Sequence, residues 1–281
     1  MRMERGSRML WVLVAVASAW GSSGSGSSLG ALPPTFQKDF KRPISIPEDG
    51  IKAAVEVMRS GRVFRYSSIS AEDSQVALLE KEFAEAMGST YAVGVNSCSS
   101  AILIALMCVG VRSGDEVLVN GFTFTALPSA IIRMGAVPVL VECQRSWTMD
   151  LDDLDQKAAT SNAKVLLLSH MRGKVCDMDR LDKICKDRGL TLVEDCAHGC
   201  GVKWRDRQLG YHGHISVYST QSDKVINSGE GGFLVTDDDS VAAKSIFLAG
   251  AYERRYGTVL AYTHELSSTY FLFLHFLEIK T

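Results

Sequence analysis

The sequence lacks a surplus of either charge. Lys and Arg number 30 against 32 Asp and Glu, a formal net charge of −2, and no predicted helix carries a basic stripe. Nucleic-acid binding rests on just such an excess, so no nucleic-acid partner is expected. Also missing is any CxxC pair among the seven cysteines, Cys98, Cys108, Cys143, Cys176, Cys185, Cys196 and Cys200. A zinc site on Cys196 and Cys200 would need a second pair at ligand spacing. A disulfide scaffold belongs to much shorter secreted chains. Most of these thiols fall inside apolar patterns, where cysteine serves as a small buried hydrophobe. Two apolar runs, at 9–20 and 268–281, are both shorter than the roughly 20 residues of a membrane-spanning helix. No stable membrane span is expected, and no internal repeat is present.

What the chain does have is 281 residues, 46% of them hydrophobic and 22% charged. That is ordinary for a globular protein with one large core. Its N-terminus is distinct: three arginines in MRMERGSR, then MLWVLVAVASAW, then GSSGSGSS. This is the layout of a signal or targeting segment over 1–20, with a small-residue cleavage site. ASAW also resembles the junction of bipartite plastid presequences in algae with complex plastids. Secretory or complex-plastid routing is therefore one expectation, and a cytoplasmic protein with an over-extended start is the alternative. Residues 21–44 read as a flexible linker and N-terminal arm.

From residue 45 to about 250, helix and strand patterns alternate. Helices are expected over 48–61 and 74–88, each closed by glycine. Strands YAVGV, EVLV, VPVLVE, KVLLLS, LTLVED, ISVYS and GGFLVT are interleaved with further helices. Short links between alternating elements predict an α/β fold, a mostly parallel central sheet with helices on both faces. DLDDLD opens a helix, and its acids suit the positive end of the helix dipole. After about 250 the periodicity weakens, and 251–281 is expected to be a truncated or aberrant C-terminal tail.

Chemistry concentrates at strand ends. LTLVEDCAHGCG ends a strand on Glu194 and Asp195, at the edge where open α/β sheets bind ligands. GVNSCSSAI passes from a strand through hydroxyls into a helix, a natural anion cradle. GFTFTALPS offers aromatic rings to a flat ligand. YSTQSDKVINSGEGG holds Lys224 between two strands. A phosphate cradle, an aromatic wall, a buried acid and an amine are the set that pyridoxal 5′-phosphate (PLP) requires.

With these pieces the stretch from about 45 to 250 resembles the DegT/DnrJ/StrS family of PLP-dependent sugar aminotransferases, which have the aspartate-aminotransferase-type fold. The matching segments are GDEVLVNGFTFTALPSAIIRMGAVPVLVE, LTLVEDCAHGCG and ISVYSTQSDKVINSGEGGFLVTDD. The resemblance implies a PLP-binding large domain over 45–250. It makes Lys224 the catalytic, Schiff-base lysine, and Asp195 the partner of the pyridine nitrogen. Ser219 becomes a phosphate ligand, and Phe124 the ring stacked on the cofactor. Ser97, Cys98 and Ser99 would form the phosphate loop. His198 stands where many members carry glutamine near the cofactor's phenolic oxygen. Cys98 replaces a glycine, which requires that this position not need a positive φ. The family continues into a smaller C-terminal domain, which is expected here to be missing or truncated.

The activity so implied transfers an amino group from an amino acid, glutamate first, to a nucleotide-linked keto-sugar, in a homodimer. Two alternatives stand beside it. One is a truncated, catalytically silent homologue that folds, with or without PLP binding. The other is a PLP-dependent sugar dehydratase or lyase, against which Lys224 argues because the family's dehydratases carry histidine there.

Overall fold

The computed structural model describes residues 45–63 and 74–250. The expected targeting segment over 1–20, the linker over 21–44 and the tail over 251–281 lie outside the described residues.

The elements are α1 (Glu48–Ser60), α2 (Gln75–Met87), β1 (Tyr91–Val95), α3 (Cys98–Cys108), β2 (Glu116–Asn120), α4 (Ala126–Arg133), β3 (Val137–Val141), α5 (Leu151–Thr160), β4 (Val165–Ser169), α6 (Met178–Arg188), β5 (Thr191–Asp195), β6 (Lys203–Trp204), β7 (Arg207–Gln208), β8 (Ile215–Ser219), β9 (Gly232–Thr236) and α7 (Asp239–Leu248). Seven strands form one sheet in the order β1-β9-β8-β5-β4-β2-β3, and β6 pairs with β7 in a separate hairpin. β9 is antiparallel to both neighbours, and the other contiguous pairs are parallel. Six strands therefore present their carboxyl ends at the same edge, as the alternating pattern predicts.

Local chemistry sets the boundaries. Asp150 caps α5 by accepting from the N–H groups of Asp152 and Asp153, and Asp177 and Asp238 do the same for α6 and α7. The acids of DLDDLD thus serve the helix start, as expected. α2 and α6 stop at Gly88 and Gly189 in the left-handed conformation, where glycine carries no Cβ penalty.

Period-two alternation divides the core between the faces of the sheet. Val117, Val165, Leu167, Val193, Ile215 and Val217 join the buried residues of α3 and α4. Their in-between neighbours Leu118, Leu166, Leu168 and Leu192 pack with α5 and α6. α2 docks through Phe83, whose ring stacks on Phe233 at 4.1 Å and meets Tyr218 edge-on at 5.2 Å. Truncating a fully buried residue such as Leu167 to Ala should cost about 2–5 kcal/mol.

Parity also sets up the site. Ser169, Asp195 and Ser219 are each two residues beyond a member of the α3-facing set, so all three face α3 at the carboxyl edge. Glu194, one residue off, faces the other way.

Candidate active site

Lys224 lies in the loop joining β8 to β9. The loop is stapled across its neck: Thr220 N–H donates to Gly231 O (3.0 Å) and Ser228 N–H to Thr220 O (2.9 Å). The hydroxyls of Thr220 and Ser228 meet at 2.7 Å. A tight turn follows, in which Lys224 N–H donates to Gln221 O at 2.8 Å. The half-buried side chain therefore leaves a constrained backbone, and its Nζ comes to 3.0 Å from His198 Nε2.

His198 titrates below the usual histidine range. Burial is the main cause, and the Lys224 and Arg172 charges add to it against the opposing pull of Asp195. A neutral imidazole has one acceptor nitrogen, and Nε2 in this role accepts from the Lys224 ammonium.

Asp195 closes β5 and is 3% exposed. Its Oδ2 accepts from Ser169 Oγ at 2.8 Å, and its Oδ1 from the Ala197 N–H at 3.0 Å. Cys98 Sγ, 3.9 Å from Oδ1, adds a weak third donor. Burial and the Asp195 charge push the Cys98 thiol well up, so it stays protonated and donates. The second layer is ordered too. Asn120 Nδ2 donates to Ser169 O (3.2 Å) and Phe122 O (2.7 Å), while its Oδ1 accepts from Ser169 N–H at 2.9 Å. One side chain thus ties the ends of β2 and β4 together.

The stretch 97–99 forms the start of α3. Ser97 is its N-cap, accepting from the Ser100 N–H at 3.1 Å. The first N–H groups of the helix, at Cys98 and Ser99, lack intrahelical acceptors. Cys98 takes the first helical position and is absent from the residues with positive φ, so the glycine expected there is not required. The glycine that matters is Gly232, where a Cβ would come within 2.6 Å of Cys98 N. That close approach seats β9 against the α3 N-terminus. Ser219 is buried at the end of β8, where its Oγ accepts from Gln221 N–H at 3.3 Å. Phe124 lies in the loop after β2 with 59% of its surface exposed.

Direct contacts thus pair Lys224 with His198 and Cys98 with Asp195. Ser97, Ser99 and Ser219 line the same edge, each placed by its own element. Sequence reasoning missed Ser169, Asn120, Gly232 and Arg172. For Ser169 the signal was present, a hydroxyl closing the apolar run KVLLLS.

On the loop leaving β2, the buried Thr123 Oγ1 has no hydrogen-bond partner. Buried polar atoms are normally paired. Together with an amine, an acceptor-only carboxylate, helix-start N–H groups and an exposed ring, this atom describes a site shaped for a polar, anionic, aromatic ligand. PLP fits this donor set. Lys224 would hold its aldehyde carbon, Asp195 its ring nitrogen, and the α3 N-terminus with Ser219 its phosphate.

Comparison with known proteins decides the family. The DegT/DnrJ/EryC1/StrS aminotransferase family matches residues 45–266. The chain belongs to this family. The L-glutamine:scyllo-inosose aminotransferase of Streptomyces griseus is 37% identical over 196 residues, covering 69% of this chain and 46% of the relative. The GDP-perosamine synthase of Escherichia coli O157:H7 is 33% identical over 205 residues, covering 71% of this chain and 56% of the relative. The crystal structure of 3-amino-5-hydroxybenzoic acid synthase superposes with a TM-score of 0.68 at 30% identity, over 74% of this chain and 54% of that one. The chain spans about half the length of the curated relatives it matches. Solved aminotransferases of this fold are known in PLP and pyridoxamine-phosphate forms, so PLP is the cofactor of the DegT/DnrJ/EryC1/StrS site. No described helix is long and apolar enough to cross a membrane.

Proposed function

We propose that the protein is an aminotransferase carrying an amino group from an amino acid to the carbonyl of a nucleotide-linked keto-sugar. The observation that carries this reading is the 3.0 Å contact of Lys224 Nζ with a neutral His198, on the edge that also presents Asp195. When bound, PLP supplies an aldehyde for the amine and an electron-withdrawing ring.

The residues divide the work. Asp195, fixed by Ser169 and Ala197, would face the ring nitrogen and favour its protonated form. His198 accepts a hydrogen from Lys224 Nζ and so aims the amine along one direction. With a donor amino acid in place, Lys224 Nζ would be the base that takes the proton from the donor's Cα. Ser219 and the first N–H groups of α3 would hold the phosphate, and the missing side chain of Gly232 keeps β9 and the helix start in contact.

Relatives support the substrate class from two directions. One is named for a nucleotide-linked amino sugar, and the other for a cyclic ketone with glutamine as donor. Glutamate and glutamine are therefore the donors to compare. The proposal extends to a homodimer. The exposed apolar residues Ile132, Val137 and Leu140, on α4 and the edge strand β3, support a covering surface there.

The test is an absorption spectrum after incubation with PLP and desalting. The wild type should retain a yellow band that glutamate or glutamine removes, and Lys224→Ala should retain none. Folded wild-type protein without the band, or an equal band in Lys224→Ala, would sink the reading.

A further inference from the structure

Arg172 is not used by the proposed mechanism. It sits in the turn directly after β4, the 3₁₀ segment Met171–Gly173, with φ 58° and ψ 25°. That is the left-handed region, costly for a residue with a Cβ and concentrated at ligand sites. Glycine would adopt it freely, and Gly173 next door does so at φ 69°. The turn is nonetheless well held. Gly173 N–H donates to His170 O at 2.9 Å and Lys174 N–H to Met171 O at 3.1 Å.

The turn also lies against the site. A Cβ on Gly173 would come within 3.3 Å of His198 O, so the backbone carrying Arg172 packs on the backbone carrying His198. The Arg172 charge reaches the His198 ring. The side chain itself is exposed, and no ion pair engages its guanidinium among the described residues. Asp195, the acid of the site, accepts from Ser169 and Ala197. Arg172 adds a second cation to the Lys224 side of the site, with a planar five-donor fork facing solvent.

We propose that Arg172 binds an anionic group of a substrate, a carboxylate of the amino donor or a phosphate of the nucleotide-linked acceptor. The inference rests on the aminotransferase reading. The strained backbone turns the fork toward the rim beside His198, and the fork supplies two parallel hydrogen bonds to a planar or tetrahedral oxyanion.

The test titrates the PLP-loaded full-length protein by calorimetry with glutarate and, separately, with inorganic pyrophosphate. Arg172→Gln removes the charge. Arg172→Gly removes the side chain while relieving the backbone, which separates binding from folding. Both variants should bind one probe about 10- to 100-fold more weakly than the wild type. Loss for glutarate assigns the donor carboxylate, and loss for pyrophosphate assigns the acceptor phosphate. Arg172→Lys should fall between, because an ammonium lacks the fork. Unchanged affinity for both probes in Arg172→Gly, or no binding of either by the wild type, would overturn the assignment. If the wild type does not retain PLP, the aminotransferase reading falls first and takes this inference with it.

Discussion

Glu194 and Asp195 are neighbours at the end of β5, at 0% and 3% exposure, and their surroundings put them to opposite uses. Glu194 points away from α3 into a closed polar knot. It accepts from His170 Nε2 at 2.9 Å, from Gly210 N–H at 3.0 Å and from Gly213 N–H. Burial alone would raise its pKa, but the histidine and the backbone donors outweigh that and hold it below the usual carboxylate range. Gly210 belongs to the same knot: at φ 94°, a Cβ there would meet the Tyr218 hydroxyl at 2.1 Å. His170, Glu194 and Cys196 place three ligand-type atoms within 4.8 Å of one another. Glu194 is already saturated and burial keeps the Cys196 thiol protonated, so the cluster is a staple for the 209–214 loop. Asp195 faces the ligand edge with one strong side-chain donor, one backbone N–H and a weak thiol. One carboxylate is spent on the fold and its neighbour is held for chemistry.

The largest expected effects come from swapping amides into this pair. Glu194→Gln turns an acceptor-only group into one that presents N–H toward backbone N–H groups, and it strips His170 of its anion. We expect a loss of about 3–5 kcal/mol, read by denaturant unfolding. The wild type should also lose stability in acid. A depressed folded pKa contributes stability above the unfolded carboxylate value, and that contribution disappears as pH falls through the folded one. Asp195→Asn should keep stability within about 1 kcal/mol while activity drops roughly a hundredfold or more. Equal stability losses in the two variants would break the distinction between them.

The sequence makes Asp195 legible and leaves the role of Glu194 hidden, for a physical reason. A strand-end acid followed 29 residues later by Lys224 is a local, ordered signal, and the sheet edge does the rest. The work of Glu194 depends on Gly210 and Gly213, brought back by the β6–β7 hairpin, whose two-residue strands carry no periodicity. The strand order puts β8 beside β5 but β9 antiparallel, and nothing in GGFLVT distinguishes that direction. Helix α7 could have been read from Asp238 as its cap and Gly250 as its stop. Arg172 was invisible because a left-handed arginine looks like any surface arginine until the backbone is built.

His198 gives an intermediate effect that sharpens the ligand side of the comparison. Its lowered pKa means that the neutral ring contributes fully above the ordinary histidine value of about 6.5, and the contribution is lost as pH falls through the folded value. Protonation removes the acceptor at Nε2 and sets an imidazolium against the Lys224 ammonium. The rate of PLP capture should therefore fall on the acid side of that value. His198→Gln keeps a carbonyl acceptor that does not titrate, so the acid step should vanish from its profile. An acid step that survives in His198→Gln would assign it to another group.

Cys98 should matter least, although it touches Asp195. Its thiol stays protonated, but an S–H is a weak donor, and at 3.9 Å it adds little beside the Ser169 hydroxyl at 2.8 Å. Its backbone is helical, so it needs no glycine, and the contact that positions the α3 start belongs to Gly232. Cys98→Ala should therefore change PLP affinity by less than about threefold, under ~1 kcal/mol, measured by spectral titration beside Ser169→Ala. A drop as large as that of Ser169→Ala would mean that the thiol and the hydroxyl hold Asp195 jointly, and that the residue standing in place of a glycine is part of the site.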